Sequence, residues 1–275
     1  MRVLFAAIMV LLAVGVIKYS LETASLRDEA ARRLNLSSST ELAWKSVLET
    51  LSFNLYRGAQ NERLDLSAYY VEAERKNRRA ENIALTFLGV AAIYLTARWI
   101  TLRRRLAGNM LKREIALDLV VLTGVAFVVG IVAPVMALSA HTELPVLGTV
   151  ILKYESKSVV TALSSLMHSG NWFIALLIGL FSVMMPAAKT LVSLLCLQSR
   201  RPAWATKASH FIKAIGKWSM ADVFVVAIFL AYFALGSDKF SDATAGLGLY
   251  FFAAYCLFSQ FTSHYLLSAA RAEFD

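Results

Sequence analysis

Charge is scarce in this 275-residue chain: only 17% of residues are charged while 58% are hydrophobic, a balance that excludes an ordinary soluble globular domain. Cysteine is scarcer still. Cys196 and Cys256 are the two present, both within apolar runs, so neither a disulfide framework nor a Cys-X-X-Cys metal site is available. No metal or cofactor is expected. There is no nucleotide-binding motif, so energy must come from a partner or an ion gradient, and no nucleophile–base pair stands out, which makes an enzyme the poorest fit. The net charge of +9 could suggest nucleic acid, but no binding motif accompanies it. Lys and Arg instead cluster in short loops beside apolar runs, as membrane topology requires.

What is present is a series of long apolar runs. Residues 3–17 follow Arg2 without a charge and read as a signal anchor, since Thr23-Ala24-Ser25 is a weak cleavage site lying beyond Lys18 and Glu22. Residues 19–82 are polar, with Leu42, Val47, Leu48, Leu51 and Leu55 at helical spacing. They read as a small helical domain with a turn at Gly58-Ala59-Gln60-Asn61 and a second arm, 66–81, running into the next span. That domain either caps the membrane helices or docks a partner. Residues 83–97 form a second span, and Arg98, Arg103, Arg104, Arg105, Lys112 and Arg113 mark a cytoplasmic loop.

A third span covers 119–140, broken near its outer end by Pro134. The outer loop that follows has a β-prone stretch at Thr149-Val150-Ile151-Leu152 and an amphipathic pattern at Val159, Val160, Leu163, Leu166 and Met167, expected to be a short strand and an interfacial helix. A fourth span, 172–197, is interrupted by Pro186 and Lys189. A basic loop, a fifth span at 216–236 and a sixth at about 245–267 complete an all-α integral membrane protein of six transmembrane helices with both termini cytoplasmic. The domain reading is 1–18 first span, 19–82 outer helical domain, 83–100 second span, 101–116 basic loop and 117–270 a four-helix module.

Two charges interrupt the apolar runs of that module. Asp222 lies about one turn inside the fifth span and Lys189 about 12 Å from the cytoplasmic end of the fourth. Opposite charge is the cheapest way to keep either ionised in hydrocarbon, and Ser182, Thr190, Ser193 and Ser219 could complete a polar cluster near Pro186. The alternative is that Lys189 snorkels to the interface while Asp222 caps its helix. His264, in the run Ser259 to His264 of the sixth span, is either a proton relay or an interfacial side chain bonded to a neighbouring helix. Gly246 and Gly248 are expected to permit close helix approach.

The segment Lys217-Trp218-Ser219-Met220-Ala221-Asp222-Val223-Phe224, the Pro186-Ala187-Ala188-Lys189 step and the Ala133-Pro134 end of the third span resemble the paraquat-inducible protein A family over roughly residues 115–270. Members of that family are inner-membrane partners of MCE proteins, which bridge the periplasm of diderm bacteria and carry lipids between the two membranes. The resemblance therefore implies an inner-membrane component of a lipid-transport system, with membrane lipids and an MCE-type periplasmic protein as partners. Better-known members carry two such modules, each preceded by a cysteine-rich zinc ribbon. Here one module stands behind two spans and the 19–82 domain, and a single module is expected to pair with a second copy or another membrane subunit. The residues alone leave two other readings open, a proton- or ion-coupled transporter of a small solute and a non-transporting membrane scaffold.

Overall fold

The computed structural model describes residues 2–36, 58–105, 109–144, 148–198 and 241–271. Expectations for 37–57 and for the fifth span, including Asp222 and its motif, lie outside the described residues. Two rods dominate. Helix α1 (Arg2–Leu36) has 35 residues and α2 (Gly58–Arg105) has 48, about 52 and 72 Å at 1.5 Å per residue. Both exceed the roughly 30 Å hydrocarbon layer, so each has an apolar half and a polar arm.

The polar segment read above as a small helical domain continues, over its described residues, the helices of two spans, its second arm running into the second span. The turn expected at Gly58–Asn61 is corrected: these residues open α2. Ala59 and Gln60 are good helix formers, and the glycine stands only at the helix boundary. The rods run antiparallel, and Ala30, Ala31, Ala73 and Ala80 are buried along the arms. These small side chains allow close approach, and Glu22–Lys76 (2.8 Å) and Arg27–Glu74 (3.6 Å) bridge it.

Helix α3 (Asn109–Val132) stops short of the 140 expected for the third span. Pro134 explains the stop, because it has no N–H and disfavours the α conformation at the residue before it. Ala133 makes the last helical bond, to the carbonyl of Val129 at 2.9 Å. The chain then enters β1 (Met136–Leu144), pairs antiparallel with β2 (Gly148–Lys157) and, on its other side, with β3 (Ser241–Ala245). The order is β2-β1-β3, so a small sheet sits at one end of an otherwise helical molecule.

Helix α4 (Val159–His168) follows with a capping box. The Thr161 N–H donates to Ser158 Oγ at 3.2 Å and the Ser158 N–H to Thr161 Oγ1 at 2.8 Å, satisfying two donors that have no intrahelical partner. The fourth span is a composite of α5 (Trp172–Ile178), a π turn (Gly179–Met184) and α6 (Met185–Gln198). Helix α7 (Leu247–Arg271) packs along α3.

Among the described residues, four helices are long and apolar enough to cross a membrane: those beginning at Arg2, Ala68, Met110 and Trp172. Helix α7 is long enough, but its Ser259–His264 stretch dilutes its apolarity. Large apolar side chains such as Leu11, Ile93, Phe173, Leu176 and Leu257 face outward, the inverse of a soluble surface and suited to lipid.

The core joins Phe5, Met9 and Val16 of α1 to Phe87 of α2, Leu122 and Val129 of α3, and Phe252 and Tyr255 of α7. Lipid removes the hydrophobic drive between spans, so close packing must hold them. A Cβ on Gly130 would lie 2.8 Å from the backbone of Phe252, and one on Gly248 would collide with the carbonyl oxygen of Ala133. Gly246 and Gly248 donate to the carbonyls of Val135 and Pro134, both at 2.9 Å. Their lack of side chains locks the start of α7 to the Pro134 corner.

Candidate functional site

The π turn lies directly ahead of Pro186. A proline in α geometry would drive its ring into the carbonyl four residues back, here that of Ser182. The widened turn avoids this, and the Met185 N–H bonds five residues back, to Leu180. Such turns occur often at functional sites. Ser182 is 2% exposed, and its hydroxyl has no hydrogen-bond partner among the described residues.

Seven residues on, and so on the same helical face, Lys189 is 5% exposed. Ser193, one turn further, is 2% exposed and donates to the Lys189 carbonyl at 2.8 Å. Ser182, Pro186, Lys189 and Ser193 thus form a buried stripe along the fourth span. Thr190 is turned aside: its hydroxyl bonds the Pro186 carbonyl at 2.9 Å, and it lines a different surface. That surface is an apolar groove of about 560 Å³ between α1, α3 and α6, floored by residues such as Val14, Val121, Gly124 and Leu191.

A charged cluster that sequence reading missed closes the end of the bundle away from the sheet. Asp118 Oδ1 accepts from Arg2 Nε at 2.6 Å, and its Oδ2 from Arg98 Nε at 3.0 Å. The Tyr94 hydroxyl donates to Oδ1 at 3.4 Å. Glu114 accepts from both guanidiniums, at 2.8 and 3.1 Å. The Asp118 side chain is wholly buried, and those of the arginines are about a quarter exposed. Two acids balance two bases, which is how buried charge is tolerated.

The cluster pins α1, α2 and α3 together, and Phe5 stacks on Tyr94 above it with ring centroids 3.7 Å apart. A cleft of about 290 Å³ between α2, α3 and α7 reaches Asp118. Nearby, Arg113 donates to the Leu197 carbonyl at 2.8 Å, capping the end of α6 and tying it to α3. The available signal was the spacing of Glu114 and Asp118, which puts both acids on one helical face at the mouth of a span, opposite Arg2 and Arg98.

A buried Thr123–Thr262 contact at 3.3 Å links α3 to α7. His264 is exposed, set edge-on to Tyr265 with ring centroids 6.0 Å apart. Lys217, Trp218, Ser219, Met220, Asp222, Val223 and Phe224 lie outside the described residues, and with them the expected pairing of Lys189 with Asp222. Among the described residues no three His, Cys, Asp or Glu side chains are grouped to hold a metal.

Spanning helices, an outward apolar surface and polar side chains enclosed within the bundle define a multi-pass membrane protein. Residues 116–269 match the family described as paraquat-inducible protein A, more than half of the chain, and the chain belongs to that family. A probable intermembrane transport protein of Haemophilus influenzae is 26% identical over 131 residues, 45% of this chain and 31% of that relative. The chain therefore spans about a third of the length of the curated relative it matches. No solved structure matches it significantly.

Proposed function

We propose that this chain is an inner-membrane component of a lipid-transport system, passing lipid between the bilayer and an MCE-type periplasmic partner. The carrying observation is family membership over residues 116–269, with a relative named for intermembrane transport. The apolar groove supports it: a bilayer-facing slot that can receive an acyl chain lies beside the helix carrying buried Lys189. In this reading six spans place both termini in the cytoplasm. The arms of α1 and α2 and the sheet then lie in the periplasm, where a partner or a second copy would dock.

Lys189 and Asp222 act in this account as an opposed pair whose contacts change during the cycle. Asp222→Asn preserves size and hydrogen bonding but removes charge. It and Lys189→Met should insert at normal abundance yet fail to maintain the envelope barrier, and the double substitution should restore stability without restoring transport. Normal barrier function in Asp222→Asn cells would discard the charge mechanism. Capture of the protein in native lipid discs tests the partner: an MCE-domain protein and phospholipid should come with it, and reproducible isolation without either would remove the reading.

A buried cation on a spanning helix also favours a second reading, proton- or ion-coupled transport of a small solute. Solute uptake that dissipates a proton gradient in reconstituted vesicles would favour that class.

A further inference from the structure

The sheet end of the molecule carries a crevice of about 710 Å³, walled on one side by the arms of α1 and α2 and on the other by the sheet. Among the described residues its lining carries Arg27, Arg75 and Arg78 against one acid, Glu74, with Arg78 3.3 Å from Glu74 and Arg75 3.4 Å from Glu72, both as exposed pairs. Arg27 reaches Glu74 only at 3.6 Å, longer than the roughly 2.7–2.9 Å of a good charge-assisted hydrogen bond, which leaves the guanidinium able to accept a better partner.

The rest of the wall is apolar or aromatic. Tyr70 and Val71 come from α2, and Tyr154 comes from β2 with Arg27 lying 5.8 Å from its ring centroid. Thr244 of β3 completes it. Tyr154 and Thr244 flank β1 opposite Ser139 and Ala137, two positions apart, and so share one sheet face. Burial holds the Tyr70 phenol above its usual pKa against the opposing pull of Arg27.

Height above the membrane narrows the ligand. Arg27 is ten residues beyond Ile17 on α1, about 15 Å, while Arg78 and Arg75 lie about 7 and 12 Å beyond Ile83 on α2. The headgroup layer adds roughly 5–8 Å to each face of the hydrocarbon. The crevice therefore begins where headgroups end.

We infer that this crevice is a phosphate-ester site that takes the headgroup of an anionic phospholipid as it leaves the bilayer, with the arginines on the phosphate and the Tyr70–Val71–Tyr154 wall, whose α2 residues lie farther out than Arg75 and Arg78, against the carbon skeleton of the headgroup beyond it. Arginine forks suit phosphate oxygens, and a wholly soluble anion would have no use for the apolar wall. The inference rests on the lipid-handling reading and adds to it: α1 and α2, which precede the family match, supply one wall, and the family module supplies the other.

The test uses the full chain in detergent with three probes, dioctanoyl phosphatidylglycerol, neutral dioctanoylglycerol and inorganic phosphate. The phospholipid should bind at least ten times more tightly than either of the others. Combined Arg27→Gln, Arg75→Gln and Arg78→Gln should weaken it at least tenfold, and Glu74→Gln should tighten it several-fold by removing the competing carboxylate. Unchanged binding in both variants, or equal binding of the neutral lipid, would overturn the site. Inorganic phosphate matching the phospholipid would reassign the crevice to a soluble phosphate and equally overturn it. Photo-cross-linking of lipid at Val14 in the groove, run in the same preparations, keeps the two ideas apart. Groove labelling without crevice binding sinks the crevice alone, whereas absence of both sinks the lipid reading beneath it.

Discussion

Substituting Asp118 by asparagine isolates the worth of the charged cluster, because the amide keeps the carboxylate's shape while leaving two guanidiniums to share Glu114. Asp118 accepts from Arg2 at 2.6 Å and from Arg98 at 3.0 Å with no side-chain exposure. An asparagine can accept through one oxygen only, and its NH2 must then point at a guanidinium. One hydrogen bond to a charged group, about 1.5–3 kcal/mol, is lost outright. The cluster also moves from neutral to one net positive charge.

Removing one partner of a fully buried pair costs about 3–5 kcal/mol. The arginines here are partly exposed and keep Glu114, so about 2–4 kcal/mol is expected. At roughly 2 °C or more per kcal/mol for a chain of this size, thermal aggregation in detergent should begin at least ~4 °C lower. Glu114→Gln, at a side chain about a third exposed, should cost about 1 kcal/mol or less. Arg98→Met in the Asp118→Asn background should recover part of the loss, since the stranded charge is gone. If Asp118→Asn shifts the temperature no more than Glu114→Gln does, the cluster is not holding the three helices and the reasoning fails.

Gly130→Val should lower stability by about 1–3 kcal/mol through overpacking against Phe252, visible as earlier aggregation on heating; a wild-type profile would deny the close α3–α7 approach. The Lys76 ammonium, through its hydrogen bond, holds the Glu22 carboxyl below its usual value, with Lys18 adding attraction. A depressed carboxylate stabilises above its ordinary pKa of 4.5 and loses that contribution as pH falls through and below it. Distances between spin labels at Ser25 and Arg79 should therefore broaden from pH 6 to pH 3, and Glu22→Gln should show the broad distribution already at pH 6; pH-independent distances would rule the bridge out as an arm clasp. For topology, a single cysteine at position 60 in a cysteine-free background should be labelled from the periplasm in cells with an intact inner membrane. Labelling only after permeabilisation would invert the assignment.

The apolar runs were legible because a membrane span is a composition before it is a structure: 3–17, 83–97 and 172–197 each fall inside a helix long and apolar enough to cross. Helix ends were less legible. The third span stops at Val132 because of one proline, and residues 136–140, apolar enough to extend it, pair into a sheet whose third strand comes from about a hundred residues away. No local pattern announces such a pairing. Apolar periodicity likewise does not tell the polar arms of spans from a soluble hairpin, since the two have the same composition. Lys189 and Ser193 stood out because polarity inside a span is rare, and both are buried. Asp118 did not, since it sits one residue before the run that defines the third span, and an acid at a helix entrance passes for a cap until Arg2 and Arg98 are found folded onto it.

Lipid handling is most directly tested at the groove proposed to receive an acyl chain. With a photoreactive amino acid at Val14 or Leu191 in the groove between α1, α3 and α6, and at Leu85 or Ile93 on the exposed face of α2 as the reference, cells are irradiated and the protein is purified through stringent detergent washing. The account predicts that groove positions capture phospholipid well above the α2 reference and that Lys189→Met changes this capture while leaving the reference untouched. Equal labelling at all four positions, unaffected by Lys189→Met, would mean the groove is ordinary lipid-facing surface and would contradict the account.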